Sequence, residues 1–144
     1  MIQTGGCYCG TLRYCVTAQP RFNALCYCRA CQHIAGGGPQ HFVLIPTEGF
    51  AVTQGNAATF SRPDLERPVT RSFCKLCGTH VFTNRPGLPG VILKVGTLDD
   101  PTSFGAPQAA IYLAEKQPFH SVPEGLAQFD GLPPRREPPR NDRA

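Results

Sequence analysis

Seven of the chain's eight cysteines fall into three tight groups, and that spacing restricts the possible folds more than any other feature. The groups read Cys7-Tyr8-Cys9, Cys26-Tyr27-Cys28-Arg29-Ala30-Cys31 and Cys74-Lys75-Leu76-Cys77. Thiols one or two residues apart seldom reach disulfide geometry without strain, yet they can share one ion. The first six residues, Met1-Ile2-Gln3-Thr4-Gly5-Gly6, have neither a basic nor an apolar signal-peptide region. A cytoplasmic, reducing setting is therefore the expectation. There, closely spaced cysteines point to metal binding, with a disulfide framework as the lesser alternative.

Glycines suggest how the groups pair. Cys9 is followed by Gly10 and Cys77 by Gly78, whereas the Cys26 group has no such glycine. A glycine after the second ligand tolerates positive φ, so the chain can turn and aim amides at a thiolate. Two matching knuckles predict one four-thiolate site on Cys7, Cys9, Cys74 and Cys77. That set is the usual form of a closed structural zinc site and would stabilise the fold directly. Iron also takes four thiolates, so the count alone leaves the metal open.

Cys26, Cys28 and Cys31 then remain without a fourth thiol nearby. Cys15 is the one thiol left, and its alternating neighbours, Leu12-Arg13-Tyr14-Cys15-Val16-Thr17, suggest a buried core position on a strand. Three protein ligands with an open position are the form of a catalytic zinc site. The alternative is closure by His33, with His41 and His80 as further candidates. Gly36, Gly37 and Gly38 follow this group and could bring backbone amides close to a ligand, or simply turn the chain. Arg29, inside the metal loop, could offset thiolate charge or hold a carboxylate, or point into water.

Short alternating or apolar segments separated by glycine and proline predict an all-β domain. Strands are expected at 11–17, 41–45, 50–54, 58–60, 69–73, 80–84, 91–95 and 109–113, with short helices at 30–36 and 124–129. Residues 1–132 are expected to form one zinc-binding domain, and residues 133–144 an Arg/Pro-rich disordered tail. The net charge is +4 over 144 residues, and half of it lies in that tail. Nucleic-acid binders usually carry a basic patch on the folded part, so no nucleic-acid partner is expected. No stretch approaches the roughly 20 apolar residues a membrane-spanning helix needs, so no membrane partner is expected either.

The ordered set Gly5-Gly6-Cys7-Tyr8-Cys9-Gly10, Leu12-Arg13-Tyr14, Cys26-Tyr27-Cys28-Arg29-Ala30-Cys31 and Phe73-Cys74-Lys75-Leu76-Cys77-Gly78-Thr79 is specific. Asp99-Asp100-Pro101 follows later. This set resembles the glutathione-dependent formaldehyde-activating (GFA) family, over residues 5 to about 132. The resemblance implies a β-tent of packed antiparallel sheets and two zinc ions per chain. One would be structural, on Cys7, Cys9, Cys74 and Cys77. The other, more labile, would be open on Cys26, Cys28 and Cys31. It also implies a carbon–sulfur lyase-like reaction run in reverse, joining a thiol such as glutathione to formaldehyde to give S-hydroxymethylglutathione. Arg29, Gly36, Gly37 and Gly38 would neighbour the substrate. Two departures stand out. The middle residue of each C-x-C pair, often His in the family, is Tyr8 and Tyr27 here, which would change polarity and proton delivery beside the open site. The family's C-terminal Trp is replaced by Pro118-Phe119-His120. Two rivals to an enzyme are a zinc-stabilised binding module closed by His33 and a thiol redox or metal sensor built on the three-thiolate site.

Overall fold

The computed structural model describes residues 1–135. It contains eleven strands and one short helix: β1 (Gln3–Gly6), β2 (Arg13–Val16), β3 (Phe22–Cys26), α1 (Arg29–Ile34), β4 (Gln40–Pro46), β5 (Phe50–Gln54), β6 (Ala58–Phe60), β7 (Thr70–Phe73), β8 (His80–Asn84), β9 (Gly90–Lys94), β10 (Ala109–Ile111) and β11 (Ala127–Gln128). The strands form two open sheets. One has the order β1-β2-β5, the other β11-β10-β3-β4-β9-β8-β7-β6. Pairing is antiparallel except at β10, which runs parallel to both β3 and β11. The all-β expectation and the β-tent of packed sheets hold.

Strand alternation divides each central strand between two environments. Val43 and Ile45 of β4 and Leu93 of β9 join Tyr14 and Val16 of β2 in the core between the sheets. Each such buried side chain contributes about 1.5–3 kcal/mol relative to exposure. Phe42 and Leu44 of β4 and Ile92 and Lys94 of β9 point the other way, onto the floor of a large cavity. The β4–β9 register sets Phe42 beside Lys94 and Leu44 beside Ile92.

Strands β5, β6 and β8 match their expected limits. The expected helix at 124–129 is instead a turn at 124–125 followed by the two-residue strand β11, because its amides bond along β10: the Ala127 N–H donates to Gln108 O and the Phe129 N–H to Ala110 O, both at 3.0 Å. The strand expected at 109–113 stops at Ile111, followed by a 3-10 turn at Leu113–Glu115. Cys15 is not core. The alternation of β2 buries Tyr14 and Val16 and leaves Cys15 half-buried on the other face. Strands β1 and β3 were not expected. Glycines weaken β1 as a strand former, but Gly5 is required there: a Cβ would lie 2.3 Å from both Thr97 O and Tyr14 Oη. β3 carries the buried Asn23, whose amide donates to Phe104 O, Gly105 O and Ala106 O at 3.1–3.3 Å. The expected tail lies mostly outside the described residues; Leu132, Pro133 and Arg135 line the cavity.

Asp99 ties the N-terminal hairpin down. Its carboxylate accepts from the Arg13 guanidinium in a bidentate pair and from Thr4 Oγ1 at 2.6 Å. The Arg13 hydrogen bond is the main reason its pKa is held down at about 2. No helix is long and apolar enough to cross a membrane among the described residues.

Candidate metal centres

Cys7 and Cys9 follow β1, and Cys74 and Cys77 follow β7, so the first centre joins segments 65 residues or more apart in the chain. The four sulfurs lie within 4.8 Å of one another. Cys7 and Cys9 are 3.6 Å apart, Cys9 and Cys74 3.7 Å. A tetrahedral ion with metal–sulfur bonds near 2.3 Å needs sulfur–sulfur edges of about 3.8 Å, so both of these spacings suit zinc.

Both knuckles fold as their Cys-Gly sequences suggest. Gly10 has φ 81° and Gly78 φ 76°. Their amides close the turns onto Cys7 O at 3.0 Å and Cys74 O at 2.8 Å. The Tyr8 N–H crosses to Thr79 Oγ1 at 3.1 Å, linking the two turns. Amides and hydroxyls favour the thiolates. Burial is the largest influence on Cys7 and raises its pKa, but the Leu12 amide at 3.2 Å and the Cys9 and Cys74 sulfurs carry it below the usual value. Cys77 falls to about 5, first through the Thr79 hydroxyl at 3.2 Å and then through backbone amides.

The second centre is assembled within six residues. Cys26 ends β3, Cys28 caps α1, and Cys31 lies in the first turn of that helix. The Cys31 amide donates to Cys28 Sγ at 3.4 Å. The three sulfurs lie within 4.8 Å of one another, and no His, Asp or Glu ligand atom joins them among the described residues. Cys28 ionises first, with a pKa near 2, chiefly because the Cys26 thiol donates to it and then the Cys31 thiol. The same donation pushes Cys26 upward. Cys31 rises to about 11. The Cys26 thiol favours its thiolate, but donation to Cys28, burial and the Cys28 charge outweigh that. Such a soft donor set suits zinc and other thiophilic ions.

These three cysteines form part of the wall of a cavity of about 800 Å³. Its floor is the outer face of the large sheet, with Phe22, Phe42, Leu44 and Ile92 as its apolar area. Within that floor stands Lys94, only 5 % exposed. Burial brings its pKa down to about 8, with Cys31 raising it and Arg71 lowering it.

The other expected site residues lie elsewhere. The Arg29 guanidinium donates to Gln32 Oε1 at 2.6 Å, and its backbone amide faces Glu115 Oε1 at 3.4 Å. Gly36, Gly37 and Gly38 do not line the cavity. The Gly37 amide donates to Gln32 O at 2.7 Å, and its carbonyl accepts from His120 Nε2 at 2.6 Å. His33 is exposed and outside the thiol cluster. His41 Nε2 pairs with Asn23 Oδ1 at 2.7 Å. His80 bonds Phe82 O and Thr83 Oγ1, and burial lowers its pKa to about 4. Tyr27 does not line the cavity. It is fully buried, donates to Ser121 O at 2.7 Å and meets the His120 ring edge-on. Its position therefore anchors the segment before β11 instead of supplying a proton to the second centre. Tyr8 is 96 % exposed.

Three further residues shape this region. Gln32 is buried behind the second centre, and its amide donates to Tyr27 O at 2.6 Å and Glu115 O at 2.9 Å. That pair locks α1 onto the 3-10 turn at Leu113–Glu115. Tyr112, at φ 55° and ψ 39°, is the one non-glycine with positive φ among the described residues, and it lines the cavity. No sequence signal marks Gln32 or Tyr112. Lys94 does carry one: a single charge in the apolar run Val91-Ile92-Leu93-Lys94-Val95.

Residues 2–115, which include both cysteine centres, match the family model described as glutathione-dependent formaldehyde-activating enzyme. A Halomonas elongata protein named "Putative glutathione-dependent formaldehyde-activating enzyme" is 26% identical over 123 residues, 82% of this chain and 78% of its own. A crystal structure of a Rhodobacter sphaeroides protein has the same fold, with a TM-score of 0.57 at 20% identity over 72% of this chain and 96% of that one. The match to the family model extends over most of the described chain, and the protein belongs to the glutathione-dependent formaldehyde-activating family.

Proposed function

We propose that the protein binds two zinc ions in the cytoplasm and joins a thiol to a small aldehyde at the Cys26, Cys28 and Cys31 centre. One observation carries this reading: three convergent sulfurs, with no fourth protein ligand among the described residues, open onto a cavity large enough for a small molecule. Cys7, Cys9, Cys74 and Cys77 would hold the structural ion. Zinc bound at the second centre would lower the pKa of an incoming thiol.

The chain's own residues prepare that chemistry. The Cys26 thiol and the Cys31 amide both donate to Cys28 and favour its thiolate, Gln32 fixes the helix that carries Cys28 and Cys31, and Phe42, Leu44 and Ile92 give the cavity an apolar floor. The reaction is an addition. The thiol sulfur bonds to the carbonyl carbon, the C=O π pair moves to oxygen, and that oxygen takes up the proton the thiol released. Glutathione and formaldehyde would give S-hydroxymethylglutathione without a redox change. Run backwards, it is a carbon–sulfur lyase reaction.

Cys28→Ser tests the reading, because serine keeps the volume and removes the soft donor. The variant is expected to keep the fold and one metal, to lose thiol binding by calorimetry, and to stop accelerating adduct formation followed by ¹³C-formaldehyde NMR. Unchanged thiol binding by Cys28→Ser would overturn it.

A further inference from the structure

We infer that Lys94 selects for a carboxylate, and that the thiol this cavity accepts carries an acid group on an apolar body. The inference rests on the proposal that a thiol enters at the Cys26, Cys28 and Cys31 centre.

The β3–β4–β9 register sets the geometry. Ala24, Phe42 and Lys94 form one cross-strand row, two residues along β3 from Cys26. The next row runs Phe22, Leu44, Ile92, Thr83 and Arg71 across five strands. Adjacent strands lie about 4.8 Å apart, so β9 is about 10 Å from β3 and β7 a further 10 Å away. A molecule whose sulfur reaches the cysteines therefore meets the Lys94 ammonium first. Its body then rests on Phe42, Leu44 and Ile92, and Arg71 lies beyond.

Lysine is almost never buried without a partner. Lys94 is 5 % exposed, and no carboxylate pairs with it among the described residues. Its backbone carbonyl accepts from Thr97 Oγ1 at 2.7 Å. Its charged neighbours are the three cysteines and Arg71. The cavity has five cations on its lining, Lys94 and four arginines, against the Cys28 thiolate and one carboxylate, Glu115, among the described residues. That balance favours an anion. The floor beside Lys94 is built of Phe22, Phe42, Leu44 and Ile92, which favours an alkyl or aryl body there over a tripeptide such as glutathione.

The test compares 6-mercaptohexanoate, 6-mercaptohexanol and glutathione by calorimetry on zinc-loaded protein. Hexanoate, which lacks sulfur, is titrated on the same protein and on the reduced, metal-free form. The acid is expected to bind about ten- to a hundred-fold more tightly than the alcohol, as a charge-assisted hydrogen bond allows. It should also bind at least as tightly as glutathione. Lys94→Met should erase the acid's advantage, and Lys94→Arg should keep part of it. Equal binding of acid and alcohol, or an advantage that survives Lys94→Met, would overturn the inference and leave Lys94 as a balance for thiolate charge. Tighter binding of glutathione would overturn the apolar-body half. Should Lys94→Met fail to fold, the wild-type comparison and the Lys94→Arg series decide. Hexanoate separates this inference from the thiol reading. Hexanoate binding that weakens in Lys94→Arg, with no thiol binding, keeps the acid site and removes the thiol. Thiol binding with no preference for the acid does the reverse.

Discussion

The two cysteine clusters place the same donor atoms in opposite settings. The first takes two ligands from each of two distant turns and closes four sulfurs on themselves, with Cys7 and Cys74 embedded in the core between the sheets. The second takes three ligands from six consecutive residues and opens them onto a cavity. A centre that joins distant segments acts on folding, because the unfolded chain cannot hold its ligands together. A local centre adds little to tertiary stability, because its ligands stay close together when the chain unfolds. A metal at the first cluster would hold the structure, and one at the second would present an open position to the cavity.

Cys74→Ser should break the contrast most severely. It removes a buried ligand of the first centre and should cost on the order of 5 kcal/mol or more, a large share of a domain's stability. Urea unfolding with metal analysis checks this, and a loss as small as that in Cys28→Ser would show the centres to be equivalent. Gln32→Ala comes next. It leaves the Tyr27 and Glu115 carbonyls without their donor and should cost about 1–3 kcal/mol. Because α1 carries Cys28 and Cys31, the second metal should also exchange faster, while the first should not. Competition with a chromophoric chelator reads both rates.

Gly78→Ala sharpens the comparison within the first centre. Left-handed backbone costs a Cβ-bearing residue about 1–2 kcal/mol, and nothing crowds the position otherwise. Gly10→Ala should cost the same, since the two knuckles have the same φ within a few degrees, and thermal melts of the two variants should coincide. The smallest effect is expected at Asp99, which touches neither centre. Asp99→Asn should cost about 0.2–1 kcal/mol, because the pair with Arg13 is largely exposed. The folded pKa lies below the unfolded one, so this contribution is present above about pH 4 and fades as pH falls toward 2. Wild type and Asp99→Asn should therefore converge in stability at acid pH.

Much of the first centre was legible because its signal is covalent and local. Cysteine spacing limits disulfide geometry, and the glycine after each pair announces a left-handed turn. Strands with clean period-two patterns, such as His80–Asn84, could be read directly as well. β3 could not be read this way. Its Asn23 looks like a strand breaker until three carbonyls from the Phe104 region arrive to satisfy it. β11 follows the same logic: Ala127 and Gln128 gain a strand conformation only from the edge offered by β10.

By itself, then, the sequence determined the two cysteine groupings, the turns that shape the first, and an all-β fold, since spacing, glycine turns and strand alternation are all local signals. Only the tertiary structure decided which thiols face a cavity, that Cys15 lies outside the core, that Tyr27 anchors the C-terminal segment, and that Lys94 is buried beside three sulfurs. Those properties belong to the register between strands distant in sequence, and a one-residue slip in that register would turn each side chain to the opposite face.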